Sequence, residues 1–152
     1  MGNEEKRFDP QIQRIDQITE RIGRYVGSRF AGQEDSFQPK ITPVKFILLR
    51  TVYLNRRCMV ADLSREVNLT SGATTLALNR LEKEGLIRRQ RDQADRRIVW
   101  VELSEEGEAL VEKILWQRQQ MFKQMLSVLT EDEQDLFIKL LEKISFKLCG
   151  QK

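Results

Sequence analysis

The sequence predicts a mainly α-helical fold with one small β-hairpin. Three observations predict it. Apolar residues recur at spacings of three and four over most of the 152 residues. The spacing changes to strict alternation only between Leu86 and Leu103. All three prolines, Pro10, Pro39 and Pro43, lie in the first third, so later helices run without a proline break. The length suits one domain spanning residues 1–152.

Composition removes several classes of function. There are 26 basic and 23 acidic residues and no histidine. That excludes Ser-His-Asp and Cys-His catalysis, histidine metal ligands and an imidazole pH switch. Cys58 and Cys149 are too few for a zinc site or a disulfide framework, and they point to a reducing compartment. There is no Gly-rich phosphate loop, nucleophile elbow or metal-ligand cluster, so no enzyme activity and no cofactor are expected. No apolar run approaches the roughly 18 residues of a membrane span, and Met1 to Pro10 is charged rather than apolar. A cytoplasmic protein without a membrane partner is the expectation.

The elements follow in order. Ile12, Ile15, Ile18, Ile22, Tyr25 and Val26 form one stripe on a helix over about 10–31. Ala31 to Lys40 is polar and reads as a loop. Thr42-Pro43 supplies an N-cap and a first-turn proline for a largely buried helix over Val44–Asn55. Val60 to Asn68 is a short helix with Ala61, Leu63 and Val67 available to pack inward. After a tight connection, Ser71 is a good N-cap for a helix reaching about Glu84. In that helix Thr74, Ala77, Leu78 and Leu81 form the packed face. Gly85 stands where a helix end favours a left-handed residue. Leu86–Arg91 and Ile98–Leu103 read as two strands around a polar tip. Val99, Val101 and Leu103 share one face, which leaves Trp100 on the outer one. Ser104 caps a helix that runs to about Ser127, and Thr130 to Glu133 is a capping box that opens the last one. A helix–turn–helix followed by a hairpin is a winged helix. The core, about 42–103, lies between dimerisation helices over about 10–31 and 104–148, whose apolar stripes exceed what the core can cover.

The chemistry concentrates in the second helix of the turn and in the hairpin. Ser71, Gly72, Thr75, Leu76, Asn79 and Arg80 occupy the face opposite the packed one. Such a face fits a major groove, where Asn, Thr and Arg hydrogen-bond base edges or phosphates. The amides near Ser71 and Gly72 suit a phosphate, and Leu76 suits a thymine methyl. Alone, the face reads equally well as solvated surface. The hairpin decides between the two: residues 86–98 carry five arginines against two aspartates. Arginine favours the narrow minor groove and planar phosphate contacts. Asp95 is expected to brace Arg97 for minor-groove entry, with Arg96 beside it. The alternative is a surface ion pair on a hairpin used for protein–protein assembly. Charge is uneven along the chain. Residues 56–97 carry ten basic and six acidic residues, whereas residues 98–152 carry seven and ten.

The sequence resembles the multiple-antibiotic-resistance regulator (MarR) family over about residues 10–148. The resemblance is carried by Asp95-Arg96-Arg97 in the wing, Leu103-Ser104-Glu105-Glu106-Gly107 after it, and Leu81 to Ile87 at the helix exit. It extends to Thr130–Glu133 with Leu140-Leu141. It implies a homodimeric repressor of a pseudo-palindromic double-stranded operator, released by a small ligand or by oxidation. It also implies DNA contacts at Thr75, Asn79 and Arg80 and at the wing pair Asp95 and Arg97. Leu76 departs from the commoner polar residue of the family.

Three triggers compete. Zinc sensing needs histidine. Redox sensing would use Cys58, whose pKa the neighbouring Arg56 and Arg57 could lower, but such a cysteine more often packs as a buried small hydrophobe. Cys149 reads as incidental. A small aromatic or anionic effector would sit between the dimerisation helices and the core, in a cleft lined by Tyr25, Phe46 and Tyr53 with Arg29 or Arg50 as anion partner. The same aromatics also read as core.

Overall fold

A computed structural model of the protein describes residues 9–31 and 41–150. The chain divides into two compact units, and the second begins at Ile41. The first contains α1 (Pro10–Ala31). Asp9 starts it: its carboxylate accepts a hydrogen bond from the Gln11 amide at 2.8 Å, and Pro10 fills the first helical position. Ile12, Ile15, Ile18 and Ile22 line one face of α1 and are exposed.

The second unit runs α2 (Pro43–Asn55), β1 (Arg57–Met59), α3 (Val60–Glu66), α4 (Ser71–Lys83), β2 (Ile87–Arg91), β3 (Val99–Leu103), α5 (Glu105–Leu126) and α6 (Glu131–Cys149). The fold is therefore mainly helical with a small wing, as the periodicities predict. The Thr42 hydroxyl accepts from the Lys45 amide at 3.3 Å and starts α2. Leu48, Leu49 and Val52 of α2 pack with Leu63 of α3, Leu78 and Leu81 of α4, Val101 of β3 and Val111 of α5. These eight side chains are almost wholly removed from water and form the core. The predicted packed face of α4 is correct: Thr74, Leu78 and Leu81 are fully buried and Ala77 is half-buried.

Five details differ from the expectation. The N-cap of α4 is Thr70, whose hydroxyl accepts from the Ala73 amide at 3.2 Å; Ser71 is the first helical residue. Either hydroxyl can cap, and the extended backbone of Thr70 decides. Ala61 is exposed, and α3 ends two residues early because Asn68 adopts a left-handed conformation, φ 52°. β2 and β3 each begin one residue later than expected. The sheet also has a third strand. β1 pairs antiparallel with β3, giving the order β1-β3-β2. Three residues are too few to display alternation, so this strand is visible only through its partner.

The register sorts the sheet into two faces. Cys58, Val101 and Arg89 lie in one row across the three strands and point toward the core and α4. The flanking rows, Arg57–Glu102–Arg88 and Met59–Trp100–Gln90, lie on the outer face.

One junction ties α4, the wing and α5 together. Gly85, at φ +75°, ends α4 in the left-handed region. The Ser104 amide donates to the Leu86 carbonyl at 3.1 Å, and the Ser104 hydroxyl donates to the Gly85 carbonyl at 2.5 Å. The same hydroxyl accepts from the Gly107 amide at 3.0 Å, which caps α5. Gly107 is buried against the Leu86 backbone. A Cβ there would stand 2.0 Å from the Leu86 carbonyl oxygen. No rotamer relieves a clash with backbone. Gly107→Ala should therefore destabilise the fold by about 2 kcal/mol or more, read as a lower urea midpoint. Gly72→Ala, where a Cβ meets nothing within 4 Å, should leave the midpoint unchanged or raise it.

Candidate nucleic-acid interface

The outward face of α4 is assembled as its periodicity predicts. Ser71, Gly72, Thr75, Leu76, Asn79 and Arg80 are all exposed. Thr74 and Thr75 spend their hydroxyl protons on the Thr70 and Ser71 carbonyls, at 3.0 and 2.8 Å. The Thr75 oxygen still offers lone pairs outward. Asn79 and Arg80 have no side-chain partner among the described residues, and Leu76 stands 60% exposed in this polar row. The only acid within α4, Glu82, is turned toward the wing, where it accepts from the Arg89 Nε at 3.0 Å. That contact holds the Glu82 carboxyl below the usual carboxylate range. Glu84, just beyond α4, pairs with Lys45 of α2.

The wing separates its charges in the same manner. The Asp95 carboxylate accepts from the Arg97 amide at 3.0 Å, from its Nε at 3.1 Å and from its Nη2 at 3.0 Å. Asp95 thus aligns Arg97, as expected, while the Arg97 side chain stays 92% exposed. The contact lowers the pKa of Asp95 and raises that of Arg97. Arg88, Arg91 and Arg96 are exposed, but Arg89 is bound to Glu82. The hairpin therefore presents four arginines outward, not the five that a count along the sequence suggests. The second acid, Asp92, is also satisfied internally, and sequence reasoning gave it no role. It accepts from the Ala94 and Asp95 amides at 2.8 and 3.0 Å and from the Trp100 indole at 2.9 Å.

The expected effector residues do not all meet. Phe46 and Arg50 of α2 line a cavity of about 480 Å³, together with Leu115, Arg118, Phe122 and Lys123 of α5. The Arg118 guanidinium lies 5.1 Å from the centre of the Phe46 ring. Tyr53 is not part of this lining. It donates to Glu112 of α5 at 3.2 Å, and burial followed by that carboxylate pushes its pKa up. Tyr25 belongs to the unit of α1, and the side chain of Arg29 lies outside the described residues. Arg118 and Lys123 were not foreseen, because only tertiary packing sets their helix face beside Phe46.

The sequence model of the MarR family matches residues 41–99, which run from the residue before Thr42 to the first residue of β3. The HTH-type transcriptional regulator YwhA of Bacillus subtilis is 36% identical over 124 residues, covering 82% of this chain and 89% of the relative. The chain belongs to the MarR family. Solved MarR-family folds agree. Streptococcus pneumoniae FabT in complex with DNA superposes with a TM-score of 0.77 at 22% identity, covering 93% of this chain and 99% of FabT. A mutant E. coli MarR complexed with operator DNA gives 0.62 at 22% identity, with 94% and 99% covered. At those identities the two structures speak for the fold.

MarR proteins are DNA-binding transcriptional regulators, and the cysteines of this one can be weighed against redox sensing. Cys58 is buried, and its thiol stands 3.8 Å from the Thr51 carbonyl. Burial, reinforced by Asp62, pushes the thiol pKa up. Arg56 and Arg57 do not lower it: Arg56 pairs with Glu108 at 3.1 Å and Arg57 stacks on Trp100. Of the two readings the sequence offers for Cys58, the packed small hydrophobe therefore holds and the activated thiol does not. Cys149 is exposed at the end of α6. Among the described residues no cluster of His, Cys, Asp or Glu could hold a metal ion. One thiol should react rapidly with a disulfide reagent in the native protein and the second only on unfolding. Cys149→Ser should abolish the fast phase, whereas a fast phase surviving that change would show Cys58 to be accessible.

Proposed function

We propose that the protein is a homodimeric repressor that binds a pseudo-palindromic double-stranded operator and leaves it when a small anionic aromatic compound binds. The observation that carries the DNA reading is the disposition of charge. Every acid of α4 and the wing tip is spent on a neighbouring group, while Arg97 projects into solvent and the outward face of α4 carries no acid. α4 enters the major groove with Thr75, Asn79 and Arg80 toward bases and phosphates and Leu76 toward a thymine methyl. The first-turn amides at Ser71 and Gly72 hold a phosphate. Arg97, aligned by Asp95, enters the minor groove with Arg96 at its rim.

The dimer reading rests on apolar surface. Leu136, Leu140, Leu141, Ile144 and Leu148 recur along α6 and all are exposed, as is the isoleucine stripe of α1. A second copy burying these stripes sets two α4 helices about 34 Å apart, one turn of DNA. α1 and the α5–α6 segment then serve as the dimerisation helices of a single functional domain that works in the cytoplasm. The effector takes the cavity between α2 and α5, with Phe46 and Phe122 against its ring and Arg50, Arg118 and Lys123 around its negative charge. Its binding shifts the spacing of the two reading heads by its differential affinity for the two states.

A duplex enriched from a random library by the protein tests this reading. With about six phosphates neutralised, affinity should fall on the order of a thousandfold between about 50 and 200 mM salt. Arg97→Ala should weaken binding roughly tenfold with the fold and the dimer intact. Without histidine, affinity should change little between about pH 5.5 and 8. Failure to enrich any duplex, or binding indifferent to salt, would favour a winged helix used for protein–protein assembly.

A further inference from the structure

The outer face of the sheet holds a second, unpredicted device. The Trp100 ring of β3 lies between two charged groups. On one side the Arg57 guanidinium of β1 stands 4.2 Å from the ring centre. At its edge the indole N–H donates to Asp92 at 2.9 Å. The other Asp92 oxygen accepts from the Ala94 and Asp95 amides and so folds the wing tip. The tip is closed by the Asp92 amide donating to the Ile98 carbonyl at 3.0 Å and the Ile98 amide donating to the Asp95 carbonyl at 2.9 Å. The same Asp95 that Asp92 anchors through its amide orients Arg97 through its carboxylate. A continuous chain of contacts therefore runs Arg57, Trp100, Asp92, Asp95, Arg97.

We infer that Trp100 and Asp92 are positioning residues that set where Arg97 is presented to DNA, with β1 as their anchor through Arg57. The inference rests on the DNA-binding reading above. Neither residue is itself suited to touch a phosphate. Trp100 is half-buried with its single donor already used, and Asp92 is an anion. Their influence on DNA must pass through the loop they hold. Depression of the Asp92 carboxyl below its usual range, caused first by the Trp100 indole and then by the two amides, agrees with a contact maintained across neutral pH.

The test is a double-mutant cycle with Arg97 on a duplex enriched by the wild-type protein. Trp100→Phe keeps an aromatic ring for Arg57 to stack on and removes the indole donor. It should lower DNA affinity roughly fivefold in the wild-type background, the scale of one ordinary hydrogen bond. In an Arg97→Ala background it should cost nothing further. Asp92→Asn, which replaces an acceptor facing the indole with a donor, should behave likewise and serves if Trp100→Phe does not fold by circular dichroism. In a Trp116→Phe background Trp100 is the only tryptophan. Its emission should shift on adding the duplex and should lose that shift with Asp92→Asn. Equal losses with and without Arg97, or no loss at all, overturn the inference. Failure of the wild-type protein to enrich any duplex instead overturns the DNA-binding reading on which it rests.

Discussion

The close approach of Gly107 to the Leu86 carbonyl is the constraint around which the rest of the second unit is arranged. Leu86 leaves α4 and enters the wing; Gly107 lies in the first turn of α5. Ser104 fills the remaining hydrogen bonds of the junction, donating to Gly85 and Leu86 and accepting from Gly107. Three elements thereby share one set of backbone contacts. Ion pairs extend the same arrangement outward: Lys45 with Glu84 fixes α2 to the end of α4, and Arg89 with Glu82 fixes the wing to α4. Partly exposed pairs of this kind add little stability. Their effect here is to tie up acidic side chains that would otherwise be free near α4.

Charge disposal also explains how a chain with a net charge of only +3 presents a basic surface. Counting residues would cancel Asp92 and Asp95 against two wing arginines. In the fold, Asp92 is consumed by two amides and an indole, and Asp95 by Arg97 itself. Neither carboxylate lacks donors, so neither opposes an approaching phosphate with a bare charge. One arginine, Arg89, is withdrawn in exchange. The electrostatic character of the surface is set by hydrogen-bond geometry more than by composition.

The helices were legible in the sequence because one period governs them. Thr74, Ala77, Leu78 and Leu81 defined the inner face of α4, and therefore the outer face carrying Asn79 and Arg80. The Asp95–Arg97 pair was legible because its members are two residues apart. What stayed hidden depends on contacts between distant segments. β1 acquires its identity only by pairing with β3, 43 positions along the chain in the Cys58–Val101 row. Arg118 reaches Phe46, and Tyr53 turns to Glu112, only because α2 packs on α5. Two arginines precede Cys58 in sequence, yet alternation along β1 sends its side chain inward and that of Arg57 outward, while Arg56, at the end of α2, turns to Glu108. Thr70 and Ser71 differ in role by a backbone angle that neither side chain dictates.

The junction at Gly107 has an evolutionary corollary. Apart from the Ser104 hydroxyl it is built from main-chain atoms: Leu86 contributes a carbonyl that any residue would supply, and Gly107 contributes the absence of a side chain. The cavity between α2 and α5 is the opposite case. It is lined by side chains, and those of α5 begin at Leu115, about 12 Å along the helix axis from Gly107. Substitutions around the cavity can accumulate without disturbing the junction. The side chains lining the cavity can therefore be exchanged while the main-chain contacts that join α4, the wing and α5 stay as they are.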